Sequence, residues 1–121
     1  VVVTGSSGKT TTKRLIDAAL STSFRGTSAP KSFNNDIGVP LTLLAAGPQD
    51  AYVIVEAGTS SKGEIAYLGD LAAPDLAVIT TIGHAHLEGF GSIDAIVEEK
   101  TSLLRHLAPG GVAILNADIP A

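Results

Sequence analysis

The chain has no cysteine and no tryptophan, and its only aromatic residues are two tyrosines and three phenylalanines. Without thiols it has no disulfides and no thiolate metal sites, which suits a cytoplasmic protein but does not fix the compartment. With so few rings, Val, Ile, Leu and Ala must fill the core. Positive charge is also scarce: 8 Lys and Arg face 12 Asp and Glu, giving a net charge of −4. That balance argues against general nucleic-acid or membrane-surface binding. No apolar run reaches the ~18 residues of a membrane span, and no signal peptide is visible. The chain begins inside a strand with no Met, which predicts an excised piece of a longer protein.

What is present is an apolar chain of 121 residues, 45% hydrophobic with positive mean hydropathy, enough for one domain with a real core. Val1–Thr4, Tyr52–Val55, Leu76–Ile82 and Val112–Leu115 read as strands, continuous apolar runs without a period of two. Residues 9–20 read as a helix with Leu15, Ile16, Ala19 and Leu20 on one side. Residues 21–37 are polar and turn-rich, with a short strand placed around Phe24. Pro40 opens a short helix through Leu41, Leu43 and Leu44. Gly47–Asp50 is a turn, residues 63–72 are helical, and Pro74-Asp75 breaks the pattern. Ser92 caps a helix running to about Leu107, with Asp94 in its first turn. Strands and helices alternate, so the expected fold is α/β: a mostly parallel sheet with helices on both faces, like that of P-loop NTPases.

The first twelve residues carry the sharpest chemical signal. Three valines and Thr4 run into Gly5-Ser6-Ser7-Gly8, and Lys9-Thr10-Thr11 opens a helix. Strand, loop and helix N-terminus in that order point unpaired backbone N–H groups and a positive dipole end at one place. Gly5 and Gly8 let the backbone curl around an anion. Lys9 then reaches terminal phosphates, and the Thr10 hydroxyl sits on magnesium. The ligand class implied is a nucleoside triphosphate, gripped by Gly5, Ser6, Ser7, Gly8, Lys9, Thr10 and Thr11. The strict phosphate-loop pattern would place its first glycine at position 3, where this chain has Val3; the loop is a variant. The bland alternative is a tight turn that happens to carry Lys and Thr.

In open parallel sheets ligands bind beyond the carboxyl ends of the strands. Glu56 follows such a strand, an expensive place for a carboxylate unless paired or solvated. It reads as a magnesium ligand, or else as a capping or surface carboxylate. His84 and His86 sit in a glycine-rich loop after the next strand. A zinc site would need more N or S ligands, and spacing does not choose between the two histidines. Lys100 falls inside the apolar stripe of Ile93, Ile96, Val97, Leu103, Leu104 and Leu107. Either its stem covers apolar surface while the ammonium reaches water, or it is an interior lysine with a lowered pKa. A neutral amine of that kind takes up carbon dioxide to become a metal-binding carbamate. Asn34 and Asn35 offer amide contacts to a ligand, or simply make a turn.

Together these segments resemble the central domain of the Mur ligase family, ATP-dependent amide-forming enzymes of bacterial cell-wall synthesis. The resemblance rests on T-G-S-S-G-K-T-T-T-K (4–13), N-N-D-I-G-V-P-L-T-L-L (34–44), Glu56, H-L-E-G-F-G-S (86–92), Lys100 and N-A-D (116–118). The family's loop lacks the extra glycine, which accounts for Val3. Within the family, N-N-D-I-G-V-P, G-E-I (63–65) and H-L-E-G-F-G-S are most similar to the members that add D-alanyl-D-alanine to a UDP-N-acetylmuramoyl tripeptide.

The resemblance implies ATP and Mg2+ as cofactors and an acyl-phosphate reaction. Lys9 would contact the phosphates, and Thr10 and Glu56 would hold one magnesium. His86, rather than His84, would serve a second metal. Lys100, fourteen residues after His86, would be the carbamylated lysine. Lys9, His86 and Lys100 are then the catalytic set, and Asn34 and Asn35 face the substrate. The implied enzyme is a cytoplasmic monomer of three domains with no nucleic-acid partner. This chain would hold roughly the first half to two-thirds of the central domain, without the UDP-sugar and C-terminal domains. Such a piece is expected not to ligate alone, and its cut sheet is expected to self-associate. The alternatives are another Mur-type amide ligase, cyanophycin synthetase, folylpolyglutamate synthetase, or a nucleotide-binding module without ligase chemistry.

Overall fold

A computed structural model describes residues 1–28, 38–58, 63–82 and 92–116. Its elements are β1 (Val2–Thr4), α1 (Lys9–Leu20), β2 (Gly26–Ser28), α2 (Gly38–Ala45), β3 (Tyr52–Glu56), α3 (Glu64–Ala72), β4 (Leu76–Ile79), α4 (Ile93–Thr101) and β5 (Val112–Leu115), with a 3-10 segment at Ser102–His106. The five strands form one sheet in the order β2-β3-β1-β4-β5. Every pairing is parallel, with Val3 opposite both Glu56 and Val78. From central β1 the chain runs out to β2 and returns to β3, then crosses to β4 on the other side. The strand order therefore reverses at the carboxyl end of β1, the place where such sheets hold ligands.

Adjacent residues of β1 feed opposite faces, as a pleated strand requires. Val2 packs with Val39, Val55, Ala57, Ile65, Leu68, Ala77 and Leu103, under α2, α3 and the 3-10 segment. Val3 packs with Ile54 and Val78 beneath Ile16 and Leu20 of α1. Each such Val, Ile or Leu contributes roughly 1.5–3 kcal/mol by leaving water. The α/β sheet with helices on both faces is as expected from the alternating pattern.

Four local expectations are corrected. The inward stripe of α1 is Lys13, Ile16 and Leu20, while Leu15 is 66% exposed. The edge strand lies at Gly26–Ser28, past exposed Phe24. There the Tyr52 ring lies so close that a Cβ on Gly26 would meet it at 2.4 Å. β4 ends at Ile79 rather than Ile82, because Thr80 and Thr81 turn to bond the loop after β1. The helix from Ser92 is capped as expected, with Ser92 Oγ accepting from the Ala95 N–H at 3.1 Å. It stays α-helical only to Thr101. Thr101 Oγ1 donates to the Val97 carbonyl at 2.7 Å and Ser102 Oγ to that of Glu99 at 2.6 Å, and hydroxyls that bond back to preceding carbonyls disturb a helix end. β5 is present, but all four of its residues are exposed. Among the described residues no helix is long and apolar enough to cross a membrane.

Candidate active site

Because all strands run the same way, the segments after β1, β3 and β4 leave from one edge. The loop Gly5–Gly8 is built there. Gly8 is left-handed (φ 80°) and starts α1 without a side-chain cap of its own, the kind of helix start that suits an anion. Gly5 (φ 149°) lies against β4, and a Cβ on it would sit 2.0 Å from Thr80 Oγ1. Thr80 Oγ1 donates to the Ser7 carbonyl at 2.5 Å, the Ser6 N–H donates to the Thr81 carbonyl at 2.8 Å, and the Ser7 N–H donates to Thr81 Oγ1 at 3.0 Å. Asn116, just after β5, donates from Nδ2 to the Thr80 carbonyl at 3.0 Å. The loop is thus braced from β4, and β4 from β5. Lys9 Nζ rests on the Gly5 carbonyl at 3.0 Å. Thr11 is exposed in the same helical turn.

Glu56 ends β3 with no exposed surface. The Thr10 hydroxyl donates to it, 3.1 Å from Oε1 and 3.0 Å from Oε2. Lys13 Nζ stands 3.4 Å from Oε2, both side chains almost completely buried. The sequence placed Thr10 and Glu56 together. It did not single out Lys13, whose only signal was a cation in line with Ile16 and Leu20 on the inward stripe of α1.

Lys100 is 2% exposed, so the reading in which its ammonium swings out to water fails. Burial and then the nearby Lys9 charge push its pKa down from 10.5 to about 8, against the pull of Glu99 and Glu64. Lys100 therefore lies within the field of the phosphate-loop lysine, as one site requires. Its neighbour Glu99, also buried, accepts from the Gly63 N–H at 2.7 Å and the Ile65 N–H at 2.9 Å. It caps α3, whose own first turn follows a left-handed glycine with no side-chain cap. That cross-helix cap fixes α4 beside the site and was not foreseen.

Lys9, Thr10 and Glu56 are thus brought to one edge, and Lys100 is near enough for the Lys9 charge to act on it. Asn34, Asn35, His84 and His86 lie outside the described residues. A cavity of about 420 Å³ lined by Val1, Val2, Tyr52, Ala73 and Asp75, among others, opens at the amino ends of the strands. It touches none of the four and belongs to the opposite edge.

Residues 3–121 match the family described as the Mur ligase middle domain. The chain belongs to that family. Among curated Mur ligases it is 47% identical, over 98% of its length, to the UDP-N-acetylmuramoyl-tripeptide--D-alanyl-D-alanine ligase of Bacillus subtilis (strain 168), covering 26% of that protein. A crystal structure of MurF from Acinetobacter baumannii superposes with a TM-score of 0.94 at 40% identity, over 98% of this chain and 26% of that one. MurF of Thermotoga maritima in complex with ADP does so with a TM-score of 0.88 at 36% identity, over 98% of this chain and 28% of that one. This Mur ligase middle-domain chain therefore spans about a quarter of the length of these relatives.

Proposed function

We propose that the protein carrying these residues is an ATP-dependent, ADP-forming ligase that joins D-alanyl-D-alanine to a UDP-N-acetylmuramoyl tripeptide in peptidoglycan synthesis. The observation that carries the reading is the contact of the Thr10 hydroxyl with the Glu56 carboxylate beneath the left-handed Gly8, with buried Lys100 in the field of Lys9. The name and close identity of the Bacillus relative support the substrate pair, and the ADP complex of the Thermotoga relative supports the nucleotide.

In the first step a substrate carboxylate oxygen attacks the γ-phosphorus of ATP, giving an acyl phosphate and ADP. The amine of the dipeptide then attacks the acyl carbon. The tetrahedral intermediate collapses to an amide with loss of phosphate and a proton. The backbone at Gly8–Thr11, where α1 begins, orients the phosphates, and Lys9 leaves the Gly5 carbonyl to offset charge on the transferring group. One hydroxyl and one carboxylate on a shared edge are the hard oxygen donors magnesium prefers alongside phosphate oxygens, so Thr10 and Glu56 fit it. Bound there, it would neutralise charge on the transferring phosphoryl group. The Lys100 amine, once neutral, attacks carbon dioxide and sheds a proton to give a carbamate; with His86 it would hold a second metal, which would add to the neutralisation of charge on the transferring phosphoryl group. Asn34 and Asn35 are assigned to the substrate.

The UDP-sugar and closing domains are assigned to chain beyond these 121 residues, and the segment alone is expected not to ligate. The test is ADP release by the full-length protein. Release should require the UDP-sugar tripeptide and D-alanyl-D-alanine together. Equal turnover with a different amine would remove the substrate assignment, and nucleotide binding without release under any pairing would favour a plain nucleotide module.

A further inference from the structure

The ion pair between Lys13 and Glu56 has a bearing on metal entry. On α1, Lys9 and Lys13 lie one turn apart on the same side. Lys9 reaches into the loop, while Lys13 turns inward, 1% exposed, to the carboxylate that ends β3. A lysine stem on an apolar face ordinarily carries its charge out to water. Here the charge stays inside, where it is costly unless paired. An unbranched apolar side chain would fill the same space without that cost. What the ammonium adds is its effect on Glu56.

Glu56 is also the carboxylate that suits magnesium. Among the described residues no group of three or more His, Asp and Glu side chains converges on a metal position; beside the loop, the Glu56 carboxylate and the Thr10 hydroxyl are the donors in contact. With the carboxylate's charge already offset by Lys13, and with Lys9 close by, a divalent ion arriving alone gains little. Triphosphate oxygens reverse the balance, since they supply both ligands and negative charge. We propose that Lys13 is the resident counter-cation of Glu56, and that it makes this position take its divalent metal together with the nucleotide and not before it. The inference rests on the reading of Thr10 and Glu56 as magnesium ligands.

The experiment is a Mn2+ titration of the full-length protein, with free ion followed by electron paramagnetic resonance. Wild type, Lys13→Met, Lys13→Arg and Glu56→Gln are compared with and without ADP, and only Mn2+ binding abolished by Glu56→Gln is counted. Wild type should hold this Mn2+ at least about tenfold more tightly with ADP. Lys13→Met should gain about tenfold or more in affinity without ADP, and Lys13→Arg should follow wild type. A folded Lys13→Met with unchanged or weaker Mn2+ binding would overturn the proposal. If Lys13→Met does not fold, wild type decides: equal affinity with and without ADP overturns it. Failure of the magnesium assignment itself looks different, because Glu56→Gln would then leave Mn2+ binding in the presence of ADP untouched.

Discussion

Two lysines stand on the inward faces of two helices, each with almost no exposed surface, and their surroundings give them opposite chemistry. Lys13 on α1 has a carboxylate at 3.4 Å. Lys100 on α4 makes no ion pair with the described residues; burial first, and then the nearby Lys9 charge, lower its pKa against the pull of Glu99 and Glu64. Burial and the neighbouring charges together therefore set what an interior amine does. A paired ammonium is a fixed charge that shapes the site around it. A desolvated ammonium repelled by a like charge gives up its proton more easily, which is what a nucleophilic amine needs.

The comparison breaks most visibly in catalysis. Lys100→Ala in the full-length enzyme is expected to lower ADP release about 10²–10³-fold, the scale of losing a group that stabilises developing charge. Added short carboxylic acids should restore part of it, and the intact mass of wild type should carry one extra carbon dioxide. Unchanged activity in the alanine variant would remove Lys100 from the chemistry.

Folding stability should separate the two lysines next. Lys13→Ala takes the cation from a buried carboxylate and is expected to cost about 3–5 kcal/mol by urea denaturation. Lys100→Met relieves a charge already penalised by burial and should leave the denaturation midpoint at neutral pH unchanged or higher. Equal losses from both substitutions would erase the distinction.

The smallest effect is in pH dependence. The folded pKa of Lys100, about 8, lies below the ordinary 10.5. Between these values the unfolded chain binds more protons, so this group's contribution to stability rises with pH across that window and is lowest below about 8. In buffer freed of carbon dioxide, where Lys100 is the plain amine, the urea midpoint of wild type should gain on that of Lys100→Met as pH climbs from about 8 towards 10.5. A constant difference would show that Lys100 is not desolvated in solution.

Much of the site was legible because its parts are local. Loop, helix start and strand end follow one another in sequence, and the 3.6-residue period alone placed Lys100 on an inward face. Pairings across long separations were not. Nothing near Lys13 announces Glu56, and nothing near Glu99 announces the bare start of α3. The brace from Thr80 and Thr81 was hidden inside what read as a longer strand. β2 was misplaced because a three-residue edge strand with no apolar run has no periodicity to find; its position is set by Tyr52 pressing on Gly26. The expectation of an exposed sheet margin stands in β5, where Val112, Ile114 and Leu115 are about half exposed.

The close approach of Thr80 to Gly5 changes what a glycine in this loop testifies to. A Cβ at position 5 would collide with Thr80 Oγ1 at 2.0 Å, whereas one at position 8 would find only ordinary contact at 3.9 Å, though its φ of 80° still favours glycine. Gly5 is thus held by packing against a neighbouring strand, and a descendant of this domain that had lost its nucleotide would still be obliged to keep it while it kept Thr80. Gly8 has no such second constraint. In a degenerate relative, Gly8 should be the glycine that drifts first, and its persistence is the better sign that the loop still holds phosphate.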